Sequence, residues 1–124
     1  MVDVILVDDD KIVLKLLKPK FERFGLSVEA YSNPIEGLDK IVEKRPKMAI
    51  IDLMMPQMMG SDIAIKLSEK LVFTTTTIYL LTASDLKEQD FFSLSTLGFQ
   101  KVLKKPFSDQ DVQALVSEHF SKVA

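Results

Sequence analysis

The sequence predicts an α/β domain, a doubly wound five-stranded parallel sheet with five helices, and three observations predict it. Five short apolar runs rich in β-branched residues alternate with five longer segments of helical period, the pattern of βα units. The first, third and fourth runs are almost wholly apolar, as strands covered on both faces must be. Nothing divides the chain: its 124 residues show no internal repeat, no Gly/Ser linker and no low-complexity segment, so residues 1–124 are expected to form a single domain.

The runs are residues 4–7, 27–31, 48–51, 77–81 and 99–103; the second and fifth carry more polar residues and read as edges. The first helix begins near Asp10, with Val13, Leu17, Phe21 and Phe24 on one face, a kink at Pro19 and a left-handed stop at Gly25. In the second, Asn33 is a good N-cap, Pro34 suits the first turn and Glu36 sits three residues after the cap. Leu38, Ile41 and Val42 then face inward, and Pro46 ends the helix. The third follows Gly60 and turns Ile63, Ala64 and Leu67 inward; Thr74 to Thr77 reads as helix exit and strand entry. The fourth starts around Ser84, uses Leu86, Phe91, Leu94 and Leu97, and closes at Gly98. Phe91 and Phe92 are adjacent and cannot both face inward, so one is expected at the surface. Ser108 with Asp111 makes an S-x-x-D cap for a last helix that buries Val112, Leu115, Val116 and Phe120. His119, the sole histidine, is expected at the surface near its end.

Composition narrows the function. An apolar share of 47% against 27% charged is far from the composition of disorder. Sixteen basic and eighteen acidic side chains leave a charge of −2 with no basic run to follow a phosphate backbone, which argues against direct nucleic-acid binding. The lack of Cys excludes disulfides and thiolate metal sites and suits a reducing cytoplasm. No signal core and no apolar run approaching ~18 residues point to a membrane, so a cytoplasmic protein is expected.

In a doubly wound sheet, ligands bind beyond the carboxyl ends of the strands. The residues at those ends are Asp8, Asp9 and Asp10 after the first run, Asp52 after the third, Thr82 after the fourth and Lys105 after the fifth. Carboxylates gathered in one small space repel one another, and a cation is the usual resolution. Oxygen ligands without His or Cys favour a hard ion, Mg²⁺ above Zn²⁺. Taken singly these residues have plainer readings: Asp9 and Asp10 as helix caps, Asp52 as a strand-end turn, Thr82 as a cap, Lys105 beside Lys104 as a solvated charge. Their joint placement at strand ends favours a site. The methionines at 54, 55, 58 and 59 read as adaptable packing around Pro56.

With "LVDDD", "IIDLMMPQMMG", "LLTAS" and "KKPF" in this order and at these spacings, the chain resembles the receiver domain of two-component response regulators from Val4 to Phe120. The resemblance implies a flavodoxin-like sheet of strand order 2-1-3-4-5 and a phosphorylation-controlled switch. Asp52 would be the phosphoacceptor, taking a phosphoryl group from a histidine kinase or phosphotransfer protein. Mg²⁺ would be held by Asp9, Asp52 and the Met54 backbone carbonyl, with Asp8 acting through a water. Lys105 would neutralise the phosphoryl oxygens, and the Thr82 hydroxyl and Ala83 backbone N–H would receive the new group. A cis Lys105–Pro106 bond and a downstream partner at the face of the fourth helix, fifth strand and fifth helix also follow. Such a module catalyses only its own phosphorylation and dephosphorylation and is otherwise no enzyme; no output domain is expected within these residues.

Two departures qualify the match. Receivers usually carry Tyr or Phe three residues before the lysine, and here that switch position is Val102, so a ring-rotation output is not carried over. Met54 and Ser84 occupy places that tune phosphate lifetime in the family. Three other classes compete. An Asp-nucleophile phosphatase of haloacid dehalogenase type gains from the D-x-D of Asp8 and Asp10, yet where it needs a later acidic pair for metal the region after Lys105 offers Asp109 and Asp111 at a helix start. A flavodoxin-like flavin carrier would need a phosphate-binding Ser/Thr/Gly loop where carboxylates stand. A phosphate-independent binding module is favoured only by Val102.

Overall fold

In a computed structural model of the chain the structure describes residues 1–55, 58–70, 72–82 and 98–120. Every apolar run contributes a strand. β1 (Val4–Val7) is buried along its whole length and pairs in parallel with β2 (Val28–Tyr31) on one side and β3 (Met48–Asp52) on the other. Met54–Met55 (β4) and Met58–Met59 (β5) then form a minimal antiparallel hairpin apart from the sheet. β6 (Thr77–Thr82) lies beside β3, and β7 (Lys101–Lys104) beside β6. The sheet order β2-β1-β3-β6-β7, counted over its own five strands, is 2-1-3-4-5. The two runs with more polar residues are the edges, where one side of the ladder meets solvent.

Local chemistry sets the helices. Asp10 caps α1 (Lys11–Glu22) by accepting from the Ile12 N–H at 2.9 Å. Its buried stripe is Leu14, Leu17 and Phe21, not the expected Val13, Leu17, Phe21 and Phe24: Val13 is half-buried and Phe24 is 45% exposed. The cause is the stop. The helix ends at Glu22, and the turn through Gly25 (φ 80°) carries Phe24 off the stripe. α1 runs on through Pro19, whose carbonyl accepts from the Arg23 N–H at 3.0 Å. Asn33 caps α2 (Pro34–Lys44) through the N–H groups of Ile35 and Glu36, and Leu38 and Ile41 are buried with Val42 packed against them. Arg45 ends α2 at φ 47°, a left-handed cap where a glycine or asparagine is usual. Its guanidinium donates to the carbonyls of Val42 and Lys70, holding the turn against the end of α3 (Gly60–Glu69). In α3, Ile63 and Leu67 are buried; Ala64's side chain lies outside the described residues. A 3-10 turn, Val72–Thr74, leads into β6.

The helix expected from Ser84, with Leu86, Phe91, Phe92, Leu94 and Leu97, lies outside the described residues. α4 (Asp109–Phe120) opens on a capping box in which the Ser108 N–H donates to the Asp111 carboxylate at 2.9 Å and the Asp111 N–H to Ser108 Oγ at 3.1 Å. It buries the expected Val112, Leu115, Val116 and Phe120. Among the described residues no helix is long and apolar enough to cross a membrane.

The sheet separates two cores. α2, α3 and the 3-10 turn cover Ile5, Val7, Ile51 and Leu80 on one face; α1 and α4 cover Leu6, Ile50, Tyr79 and Leu81 on the other. His119 differs from expectation: it is half-buried, and its Nε2 pairs with the Tyr79 hydroxyl beneath α4. Burial, with the Glu118 charge adding to it, pushes the Tyr79 phenol up to about 12. Its folded value therefore lies above its unfolded one of 10.0, so its contribution to stability is complete below pH 10 and is lost as pH rises toward about 12. The urea midpoint is expected to fall over that interval, with a shallower fall in Tyr79→Phe; equal slopes for the two proteins would contradict the assignment.

Candidate functional site

The three consecutive aspartates do three different things. The Asp8 N–H still donates to the Tyr31 carbonyl at 3.2 Å, so Asp8 extends the β1 ladder by one residue and is buried there at 2% exposure. Asp8 Oδ1 accepts from the Asp10 N–H at 2.9 Å. Asp9 is exposed on the rim, and Asp10 is the cap of α1.

Asp52 is the last residue of β3 and is buried. Its ladder partner on β6 is Leu81, which places Thr82 one residue further along the neighbouring strand at the same carboxyl edge. Thr82 is buried and continues the alternation of β6 on the side of Leu80, which packs with α2 and α3. Lys105 follows β7, and its N–H donates to the Thr82 carbonyl at 2.7 Å, so the ladder fixes where its side chain starts. The Lys105–Pro106 peptide bond is cis. Lys105 Nζ lies 3.0 Å from Asp8 Oδ2 and 3.7 Å from Asp52 Oδ2. Burial works to lower the pKa of this ammonium, but the carboxylates of Asp8, Asp52 and Asp10 outweigh it and hold the group above the usual lysine range.

Asp8, Asp9 and Asp52 each present a carboxylate oxygen within 4.8 Å of the others. The buried Asp8 Oδ2 is met by the Lys105 ammonium at 3.0 Å. Three carboxylates gathered against one ammonium, with no nitrogen or sulfur ligand in the group, fit a hard divalent cation that keeps several waters.

The expected residues Asp8, Asp9, Asp52, Thr82 and Lys105 thus gather at one edge. Val102 pairs with Leu80 and is half-buried on the same face as Thr82, among Phe73 and the α2–α3 core. Met54 opens the hairpin two residues after Asp52. Ala83, Ser84 and Pro56 lie outside the described residues. Two features had no sequence signal: the hairpin, in which Met55 is fully buried and Met58 packs on the core, and the closer approach of Lys105 to Asp8 than to Asp52.

A doubly wound parallel sheet of this order, with an acidic cup and a lysine at its carboxyl edge, defines the flavodoxin-like class of α/β domain. Residues 4–117 match the model for the response regulator receiver domain, and the chain belongs to that family. It is 32% identical over 114 residues to the alkaline phosphatase synthesis transcriptional regulatory protein PhoP of Bacillus subtilis, covering 91% of this chain and 46% of that protein. It is 31% identical over 113 residues to the response regulator MprA of a Mycobacterium species, covering 91% and 48%. The chain spans about half the length of these curated relatives. Among solved structures, a Francisella response regulator receiver domain superposes over the whole of both chains with a TM-score of 0.83 at 25% identity. The Vibrio cholerae chemotaxis protein CheY4 does so over 97% of this chain and 99% of its own with a TM-score of 0.84; at 22% identity that likeness speaks to the fold.

Proposed function

We propose that this receiver domain is a cytoplasmic switch in which Asp52 accepts a phosphoryl group from the phosphohistidine of a kinase or phosphotransfer protein. The observation that carries the reading is the placement of the buried Asp52 carboxylate within 3.7 Å of the Lys105 ammonium and within 4.8 Å of the Asp8 and Asp9 oxygens. An Asp52 oxygen attacks phosphorus, the phosphorus–nitrogen bond of the donor breaks, and its electron pair stays with the leaving imidazole. Asp9, Asp52 and the Met54 carbonyl would hold Mg²⁺, with Asp8 reaching it through water. Bound there, the ion supplies charge neutralisation at the phosphoryl oxygens. Lys105 binds the same oxygens from the opposite wall, and the Thr82 hydroxyl and Ala83 N–H donate to them once the group has arrived.

The group brings about −1.5 to −2 charges and three acceptors to the edge of β6. If the active form starts at ~1%, making it dominant takes on the order of 5 kcal/mol of differential binding, within reach of a few charge-assisted hydrogen bonds. Val102 lies on the Thr82 face of β7, so the movement is passed on by aliphatic packing to a protein bound at the face that includes β7 and α4. Beside Lys105, an apolar groove of about 550 Å³ between α1 and the β7–α4 connection gives a donor protein surface to bury. The domain works as one unit and turns over only its own phosphoryl group.

Incubation with acetyl phosphate and Mg²⁺ followed by intact mass tests the reading. A gain of one phosphoryl group that a chelator prevents is expected. No gain, with the protein folded, would overturn it, and steady hydrolysis of a generic phosphate ester would favour a phosphatase.

A further inference from the structure

Gly37 breaks a local rule. It stands in the first turn of α2, its N–H donating to the Asn33 carbonyl at 2.8 Å, and its backbone is not in the left-handed region that calls for glycine. In such a place glycine costs a helix about 1 kcal/mol relative to alanine. What it provides is closeness. A Cβ built at residue 37 would lie 2.7 and 2.8 Å from the two γ carbons of Val7 and 3.3 Å from its Cβ, so the bare backbone of α2 rests directly on the side chain that ends β1.

Val7 belongs to the layer on which the acidic cup stands. It is 1% exposed and pairs with Tyr31 and Ile51; the next residue along β1 is Asp8, and the next along β3 is Asp52. Were a methyl group added to Gly37, turning Val7 about χ1 would not clear it, because the side chain branches at Cβ and the Cβ itself is within 3.3 Å. Backbone has to move. α2 is pinned at both ends: Asn33 caps its start, and at its finish Lys44 pairs with Glu29 at 2.7 Å while the Arg45 guanidinium donates to the Lys70 carbonyl, with Leu38 and Ile41 fully buried between them. The end of β1 is held less firmly, since beyond Val7 its ladder to β2 continues through the long 3.2 Å bond from the Asp8 N–H to the Tyr31 carbonyl. The displacement therefore falls on Asp8.

We propose that Gly37 is a positioning residue for the acidic cup: its missing side chain lets α2 seat on Val7 and hold the end of β1 where the Asp8 carboxylate comes within 4.8 Å of those of Asp9 and Asp52. The inference rests on the reading of the cup as a Mg²⁺ site and adds what sets its dimensions from the α2 side. Groups that orient metal ligands without touching the ion typically change its affinity by about tenfold or more when replaced, and the contact that fixes Asp8 acts in the same way.

The test is calorimetric titration of MgCl₂ into the wild type, Gly37→Ala, Val7→Ala and the double variant, with urea midpoints measured alongside and no phosphodonor present. Gly37→Ala is expected to weaken Mg²⁺ binding about tenfold; in the Val7→Ala background, where the γ carbons that the new methyl group would strike are gone, the same change is expected to alter it by about twofold or less. A purely packing role moves the urea midpoint alone, so a Gly37→Ala protein with a lowered midpoint and an unchanged Mg²⁺ affinity would overturn the proposal. A loss of about tenfold that persists in the Val7→Ala background would do the same, by excluding the contact as the route. Should Gly37→Ala fail to fold by itself, the double variant is still expected to fold and to bind Mg²⁺ within about twofold of Val7→Ala, and a larger difference there refutes the inference. A wild-type protein that is folded yet takes up no Mg²⁺ would instead remove the metal-site reading, and this proposal with it.

Discussion

Asp52→Asn is expected to take up no phosphoryl group from acetyl phosphate and Mg²⁺, a loss of the full signal in intact mass. The amide keeps the shape of the carboxylate but lacks both its nucleophilic electron pair and the charge that pairs with Lys105 at 3.7 Å. No neighbouring acid replaces it easily. Asp8 Oδ1 is engaged by the Asp10 N–H and its Oδ2 by Lys105, and Asp9 stands at the exposed rim. Labelling that persisted in Asp52→Asn would move the acceptor to another carboxylate and sink the assignment. Stability gives a second readout of opposite sign. Asp52 shares the cup with Asp8 and Asp9 oxygens within 4.8 Å, against a single ammonium that already favours Asp8. Neutralising it removes two repulsions for the loss of one longer attraction, so without Mg²⁺ the variant is expected to unfold at higher urea by on the order of 1 kcal/mol. A lower midpoint would mean that the Lys105–Asp52 pair outweighs the crowding.

Charge crowding also explains what the sequence could and could not disclose. Strand placement was legible because a parallel strand buried on both faces must be apolar for its whole length, and residues 4–7 and 48–51 are. From strand placement the candidate site residues follow: the first polar residue after each central apolar run lies at the carboxyl edge, whether Asp8, Asp52 or Thr82. Helix faces were less legible. In α1 the helical period alone put Val13 and Phe24 on the buried stripe; Phe24 leaves it because the helix ends at Glu22, and Leu14 in place of Val13 is a matter of three-dimensional packing against β2 and α4. His119 was misplaced at the surface because the hydroxyl that receives it belongs to Tyr79, distant in sequence. Lys105 lies nearer Asp8 than Asp52, 3.0 Å against 3.7 Å, and no spacing in the sequence carries that difference.

Gly98 carries a large expected stability effect outside the acidic cup. It sits at φ 112°, a conformation that an L side chain adopts only at a cost of about 1–3 kcal/mol. A Cβ there would also meet the Phe73 ring at 3.0 Å from Cγ and 3.1 Å from Cδ1. Phe73 has little room to yield, because Phe99 packs edge-to-face on it with ring centroids 5.4 Å apart and is itself buried. Gly98→Ala is therefore expected to destabilise by about 2–4 kcal/mol, read as a lower urea midpoint with an unchanged slope. The two causes separate in a double variant. Shortening the ring with Phe73→Leu relieves the contact but leaves the backbone strained, so Gly98→Ala should cost less in that background and still cost at least about 1 kcal/mol. A Gly98→Ala protein within about 0.5 kcal/mol of the wild type would mean that the turn into Phe99 tolerates a side chain. The left-handed backbone would then not be what starts the approach to β7, and with it the register that sets Lys105 against the Thr82 carbonyl.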